Sequence, residues 1–299
     1  MTWLYLGGKC RNCGAPIAVR YFLVELVTAC TFLGCWLAFG HQSVWLGLVY
    51  ALFLAGLIVA SFIDFEHFII PDELTLGGMG VGFACSLLLP SLHDETTLSG
   101  SLGQSALGMV VGSGIIYFIL RMGKLLFGRQ KVTLPADAKI VFSETSVHLP
   151  DHEIPYEELF YRQSDVVTLH ARTLELVDRC YRDVRVRLTP STLRIGEEEL
   201  NPEDVPHLEA VCGEVVLPRE AMGLGDVKFM GAIGAFLGWK AVIFSLMVSS
   251  MIGSVVGVAL IALHKRAWSS RLPYGPYIAL ASAIWLFGGK RLVELWLGM

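Results

Sequence analysis

Charged side chains are scarce in this sequence. They make up 17% of its 299 residues, against about a quarter in a soluble domain. Neither sign dominates, since the formal net charge is −4. That balance excludes the strongly basic surface of a nucleic-acid binder and predicts no nucleic-acid partner. A secretory signal is also missing: no apolar h-region follows a basic n-region in the opening "MTWLYLGGKCRNCGAPIAVRYFLVE". No glycine-rich dinucleotide loop follows a strand, so the residues by themselves mark no cofactor site. The seven cysteines do not form a secreted disulfide framework. Cys30, Cys35 and Cys85 fall in apolar runs, Cys180 and Cys212 in the polar middle, and Cys10 and Cys13 form a CxxC. No thioredoxin-like βαβ pattern surrounds that pair, which argues against a catalytic disulfide.

Apolar residues are abundant, at 54%. A helix that crosses a bilayer needs roughly 20 mostly apolar residues. Seven segments approach this, near residues 20–40, 44–64, 74–90, 102–122, 226–239, 240–263 and 276–297. The third and fifth are short and rich in glycine. The expected fold is an all-α polytopic membrane protein of about seven transmembrane helices in a lipid bilayer, with one polar interruption. Glycine recurs in the spans ("GGMGVGF", "GMVVGSGI", "GAIGAFLG"), which suits close helix packing in lipid. Residues 123–220 read as a small β-rich insert. "DVRVRLTPSTLRIG" alternates as two strands joined at "TPST", "KIVFSETSVHL" and "VVTLHARTLELV" favour strands, and "PYEELFYR" reads as a short helix. "GEEELNPED" (196–204) reads as a solvated acidic turn. The chain divides into a CxxC segment (1–19), four spans (20–122), the insert (123–220) and three spans (221–299).

Lysine and arginine placement sets the orientation. The N-terminal arm carries Lys9, Arg11 and Arg20, and the loop near 264–275 carries Lys265, Arg266 and Arg271. The loops at 41–43 and 91–101 carry none, and Lys240 stands alone between the fifth and sixth segments. An inside N-terminus puts both basic loops and the insert in the cytoplasm. Lys290 and Arg291, within the last segment, have to snorkel or line a cavity.

This parity brings two distant aspartates to one membrane face. Asp64 ends the second segment ("LIVASFIDFEHFIIPDELT") and Asp226 begins the fifth ("GLGDVK"). Ionisable residues at membrane depth usually face the bundle interior and mark function. Two facing carboxylates in a partly dry site tend to share one proton. One of them can then take a proton from water while the other donates to a scissile carbonyl, as in an aspartyl protease. Gly223 and Gly225 leave room for backbone or substrate beside Asp226. The plainer reading of Asp226 is an N-cap or a dipole partner. For Asp64 that reading is less natural, because a helix C-terminus disfavours a carboxylate and some other interaction is needed. Asp72 and Glu73 after Pro71 read as cap and first-turn acids, and Glu66 and His67 as solvated loop residues. Lys228 stands to neutralise Asp226 or to bind lipid phosphate.

On these residues the sequence resembles the prepilin peptidases, the type IV leader peptidase family, which are membrane aspartyl proteases of the GxGD class. "GLGDVK" (223–228) fits the GxGD motif, and "IDFEHFIIPDELT" (63–75) fits the first-aspartate motif. "LPYGPYIALAS" (272–282) resembles the family's Pro-aromatic-Gly-Pro segment, and "GKCRNCGAPIAVRYFLVEL" (8–26) its cysteine-bearing segment. The resemblance covers the chain outside roughly 127–218. It implies catalytic roles for Asp64 and Asp226, supported by Gly223, Gly225, Lys228, Pro71 and Asp72. It implies removal of a short basic leader from type IV prepilins or type II secretion pseudopilins at the cytoplasmic face of the bacterial inner membrane. It also implies methylation of the new N-terminus from S-adenosylmethionine; proteolysis itself needs no cofactor.

The family usually carries one more helix and an earlier CxxC before this point. Structural zinc takes four donors, so Cys10 and Cys13 read as half a zinc site. Three readings stay open: a truncated start, a lost metal, or another ligand pair drawn from Cys180, Cys212, His148, His152, His170 and His207. Methylation belongs to the same N-terminal region, where Glu25 matches an acidic position; its plainer reading is a buried polar residue between helices. Two further functions compete with the protease: a proton-coupled transporter or channel using the same acids, and an inactive scaffold. Acids at one membrane edge and the lack of an inverted repeat argue against transport.

Overall fold

The structure is a computed structural model and describes residues 2–135, 138–150, 153–160, 163, 165–218, 223–263 and 272–297. The chain forms two compact units, residues 1–118 with 223–299, and residues 119–222.

The first unit is helical. A single turn, α1 (Thr2–Tyr5), precedes α2 (Val19–Cys35), which runs on through a π-helical turn, Trp36–Gly40. Then come α3 (Val44–His67) and α4 (Asp72–Leu88). Helix α5 (Leu98–Phe127) continues past the expected start of the insert at 123, through "RMGKLLF". Ser43 caps α3, its hydroxyl accepting the Leu46 N–H at 3.5 Å. Phe68 ends α3 in the left-handed region (φ 55°), its N–H bonding back to the Asp64 carbonyl. Pro71 then cannot extend that helix and instead caps the next.

The second unit contains the ten strands and one short helix. The strands are β1 (Arg129–Thr133), β2 (Lys139–Phe142), β3 (Ser146–His148), β4 (Glu153–Pro155), β5 (Val167–Leu176), β6 (Cys180–Leu188), β7 (Leu193–Ile195), β8 (Glu198–Leu200), β9 (Leu208–Val211) and β10 (Glu214–Pro218). The helix, α6 (Tyr156–Leu159), is where "PYEELFYR" predicts one. All strand pairs are antiparallel, in the order β4-β3-β2-β9-β5-β6-β7-β8, with β10 joining β1 to β5. Alternation buries Ile140, Val147, Leu169, Ala171, Val186, Ile195, Ala210 and Val215 in one core. The "TPST" turn closes by Thr189 and Thr192, whose hydroxyls lie 2.8 Å apart. The acidic stretch 196–204 turns at Gly196 (φ 60°) and its acids are exposed, as expected, while Glu198–Leu200 also pairs with β7 as an edge strand. Leu193 and Leu200 face each other in that register, an apolar pair that fixes the solvated turn to the sheet.

The chain then returns to the helical unit with α7 (Leu224–Ala262), α8 (Gly275–Ile284), a π-helical turn (Trp285–Gly289) and α9 (Lys290–Leu297). The expected segments 226–239 and 240–263 are the two helices of α7, which meet at a non-helical Gly238 (φ 78°, ψ 173°). That backbone suits glycine alone.

Among the described residues four stretches are long and apolar enough to cross a membrane: Val19–Gly40, Val44–His67, Leu98–Leu125 and Leu224–Ala262, the last of them broken at Gly238. Helix α4, at 17 residues, and the stretch Gly275–Gly289 are shorter. The chain is therefore a multi-pass membrane protein. Small residues let α7 approach its neighbours. A Cβ at Gly108 of α5 or Gly234 of α7 would overlap the facing backbone, the signature of helices packed in lipid. Beside this contact the Ser105 hydroxyl donates to the Ala235 carbonyl at 2.9 Å.

Candidate active site

Asp64 lies in the last turn of α3 and is buried, with 5% of its surface exposed. The interaction that its position demands comes from α8. The backbone N–H of Gly275, the first residue of that helix, donates to Asp64 Oδ2 at 2.9 Å. An anion is stabilised at a helix N-terminus, which offsets its unfavourable place at the C-terminus of α3. Gly275 permits this closeness, since a Cβ there would stand 2.8 Å from Asp64 Oδ2.

Asp226 sits three residues beyond Gly223, the N-cap of α7. Its side chain stands at the position from which the acidic member of a capping box reaches back to the N-cap. The capping role and nearness to the other acid thus coexist, because Asp226 also interacts electrostatically with Asp64. Ile70, 8% exposed, packs between the two halves of the site. A Cβ on Gly225 would stand 3.4 Å from Ile70 Cβ, and one on Gly275 would stand 3.1 Å from Ile70 Cδ1. The starts of α7 and α8 therefore converge on one apolar residue, close to the carboxylate that ends α3. A Cβ on Gly223 would make ordinary contacts with Gly225 N at 3.8 Å and Asp226 Oδ2 at 3.9 Å.

Lys228 departs from expectation. It neither pairs with Asp226 nor stands free for a phosphate; its ammonium meets Asp72 Oδ1 at 2.7 Å. Lys228 lies two residues past Asp226 and so points from α7 toward the start of α4. Pro71 and Asp72 thus belong to the frame of the site, as cap and first residue of α4. Glu66 and His67 are not loop residues either. They complete α3, and Glu66 forms an ion pair with Arg20 of α2.

Cys10 and Cys13 lie in a turn closed by the Cys10 N–H on the Ala15 carbonyl at 2.8 Å and the Gly14 N–H on the Cys10 carbonyl at 3.0 Å. Backbone N–H groups of Cys13 and then Asn12 point at the Cys10 sulfur and hold its thiol below the usual range. Two thiols so arranged fit half of a tetrahedral zinc set. Among the described residues no group of three or more His, Cys, Asp and Glu side chains gathers to hold a metal. Of the candidate partners in the insert, His148 lies with Glu153, His170 with Asp183, His207 with Glu209, Cys212 is buried in the sheet core, and Cys180 is exposed at the start of β6. Glu25 is exposed on α2, not buried between helices. His152, Lys265, Arg266 and Arg271 lie outside the described residues, as does the side chain of Lys290.

Sequence reasoning did not single out Ile70, Tyr274 or Gly275. The signal was present as "PYGP": a proline pair around an aromatic and a glycine starts a helix and frees one N–H for another acceptor.

The profile described as Type IV leader peptidase family matches residues 51–134 and 208–258, and that of the Bacterial Peptidase A24 N-terminal domain matches residues 1–39. The chain belongs to the type IV leader peptidase family. The matched stretches hold both aspartates and the CxxC, and they leave out most of the insert. The prepilin leader peptidase/N-methyltransferase of Aeromonas hydrophila is 26% identical over 298 residues, covering 99% of this chain and 68% of the relative. That of Stutzerimonas stutzeri is 23% identical over 297 residues, with the same coverage, 99% and 68%. That of Dichelobacter nodosus reaches 37% over 131 residues, which is 44% of this chain and 42% of the relative. No solved structure matches the chain.

Proposed function

We propose that this protein is an aspartic endopeptidase that removes the short basic leader of type IV prepilins or type II secretion pseudopilins. The observation that carries the reading is the meeting of Asp64 and Asp226 beside Ile70, at the ends of apolar helices. One carboxylate takes a proton from water, and the hydroxide equivalent attacks the scissile carbonyl. The other donates its proton to the carbonyl oxygen as the tetrahedral species forms. Collapse of that species breaks the C–N bond, and the leaving amine takes a proton from the dyad. Gly223 and Gly225, with no side chains of their own, let an extended substrate backbone approach Asp226.

The proposed topology has seven membrane passes, with α4, the two halves of α7 and the α8–α9 stretch completing the count. The N-terminus, insert and active site face the cytoplasm, and the membrane is the bacterial inner membrane. The substrate's apolar helix stays in lipid while its basic leader remains in cytoplasmic water. Both aspartates stand at helix ends, which suits a peptide arriving from the membrane edge better than a midplane proton relay.

The relatives' name adds N-methylation, and the proposed second activity is methylation of the new N-terminal amine. S-adenosylmethionine, when bound, supplies the electrophilic methyl group. Cys10 and Cys13 would contribute two thiolates to a zinc ion that braces the same N-terminal segment.

The test is mass spectrometry of a model prepilin after incubation with the protein, with and without S-adenosylmethionine. Cleavage ahead of the apolar helix is expected, together with a methyl mass increment when the donor is present. An intact precursor under both conditions, or proton flux in liposomes without cleavage, sinks the reading.

A further inference from the structure

Asp64 is held by a backbone group, and that group is itself held. Tyr274 is the N-cap of α8, and its carbonyl accepts the N–H groups of Tyr277 at 3.1 Å and Ile278 at 3.2 Å. The next residue, Gly275, gives its N–H to Asp64. The Tyr274 hydroxyl reaches α7, where it lies 2.8 Å from the Ser249 hydroxyl and 3.0 Å from that of Ser250. It can donate to one of them and accept from the other. Each serine also lies within donating reach of the Leu246 carbonyl, at 3.1 and 2.7 Å, so the one that gives its proton to Tyr274 leaves that carbonyl to the other. One turn away, Ser245 and Ser282 join α7 and α8 again at 3.1 Å. Ser245, Ser249 and Ser282 are fully buried.

Hydroxyls lined up in this way are expensive to bury unless every one is bonded. Apolar side chains would join the two helices as firmly. The ladder does what apolar packing cannot: it fixes the rotation and height of the first turn of α8 on the part of α7 that follows the Gly238 break. That part continues, through Gly238, from the helix that carries Asp226, so the N–H that orients Asp64 is held by the segment joined directly to the second aspartate's helix.

We propose that Tyr274 and Gly275 are positioning residues, which use the Ser249–Ser250 hydroxyls of α7 to set the Asp64 carboxylate against Asp226. Oδ2 of Asp64 is committed to the Gly275 N–H, so the other oxygen is presented to the reaction. This bond suits Asp64 to the accepting role, taking the proton from water, and leaves donation to the substrate carbonyl to Asp226. The inference rests on the endopeptidase reading above.

The experiment compares kcat and KM for cleavage of a model prepilin by the full-length protein in detergent, with the unfolding midpoint of each variant measured alongside. Wild type, Asp64→Asn and Asp226→Asn are run first. If wild type does not cleave, the function itself falls, and this inference with it. If wild type cleaves and both asparagine variants do not, the function stands and the positioning variants decide the rest. Tyr274→Phe removes one oxygen and is expected to lower kcat about tenfold, the worth of one hydrogen bond, with KM and midpoint unchanged. Ser249→Ala with Ser250→Ala is expected to match it. Ser249→Ala with Ser250→Thr returns one hydroxyl to Tyr274 and is expected to restore most of kcat. Gly275→Ala, which crowds Asp64 Oδ2, is expected to lower kcat by about a hundredfold or more. Wild-type kcat in Tyr274→Phe overturns the inference and leaves the function intact. So does a raised KM in place of a lowered kcat, or a threonine that restores nothing.

Discussion

The two units of this chain bury polar groups in opposite ways. The helical unit buries Asp64, Thr75, Ser86, Ser105, Ser245, Ser249 and Ser282 among its apolar helices. The insert has a mostly aliphatic core, and among its described residues the buried polar side chains are Ser146, which donates to Glu153 at 2.6 Å, and Asp165, which pairs with Lys124 at 2.7 Å. A sheet folding in water needs few buried hydroxyls, because its backbone satisfies itself strand to strand and apolar area drives its collapse. Helices in lipid have no such drive to associate and use small residues and hydroxyls as contacts. Where the bundle also buries a carboxylate, and the carboxylate meets a second one, packing alone is no longer the explanation.

That contrast breaks most visibly at the dyad. Asp64→Asn or Asp226→Asn is expected to lower prepilin cleavage at least about a hundredfold, with membrane insertion and the unfolding midpoint kept. Mass spectrometry reads the product, and full processing by either variant would remove the distinction between the units. In the insert, Ile140→Ala is expected to cost about 2–5 kcal/mol, the range for a fully buried isoleucine, while cleavage stays near wild type. Hydrogen exchange across residues 138–217 measures the first effect and a cleavage assay the second.

A sharper version removes the insert. Arg129 pairs with Pro218 in the β1–β10 register, so the two ends of the sheet lie side by side and a short linker can replace residues 129–218. Cleavage by that variant is expected to fall no more than a few-fold, since every candidate site residue belongs to the helical unit. Loss of cleavage with the helices intact would give the insert a part in the reaction. The smallest effect belongs to Lys228 and Asp72. Their side chains are 34% and 59% exposed, so a double-mutant cycle with Lys228→Ala and Asp72→Ala is expected to return about 0.2–1 kcal/mol.

Much of this was legible beforehand because it rests on local rules. The strands of "DVRVRLTPSTLRIG" follow from alternation, and the break inside α7 from a glycine-rich run. Lys228 was misread because its partner stands 156 residues away. Glu66 was misread for a similar reason, since Arg20 on a neighbouring helix draws it into the last turn of α3.

By itself the sequence determined a chain that spans the membrane several times, with a β-rich insert between α5 and α7 and two aspartates at helix ends. Periodicity, length and charge bias are properties of neighbours along the chain, and these suffice for such statements. Only the tertiary structure decided that Gly275 feeds its N–H to Asp64, that Ile70 stands between the two halves of the site, and that Tyr274 is tied to α7. Hydrogen bonds reach about 3 Å, and no pattern in one dimension says which residues from three helices will come that close.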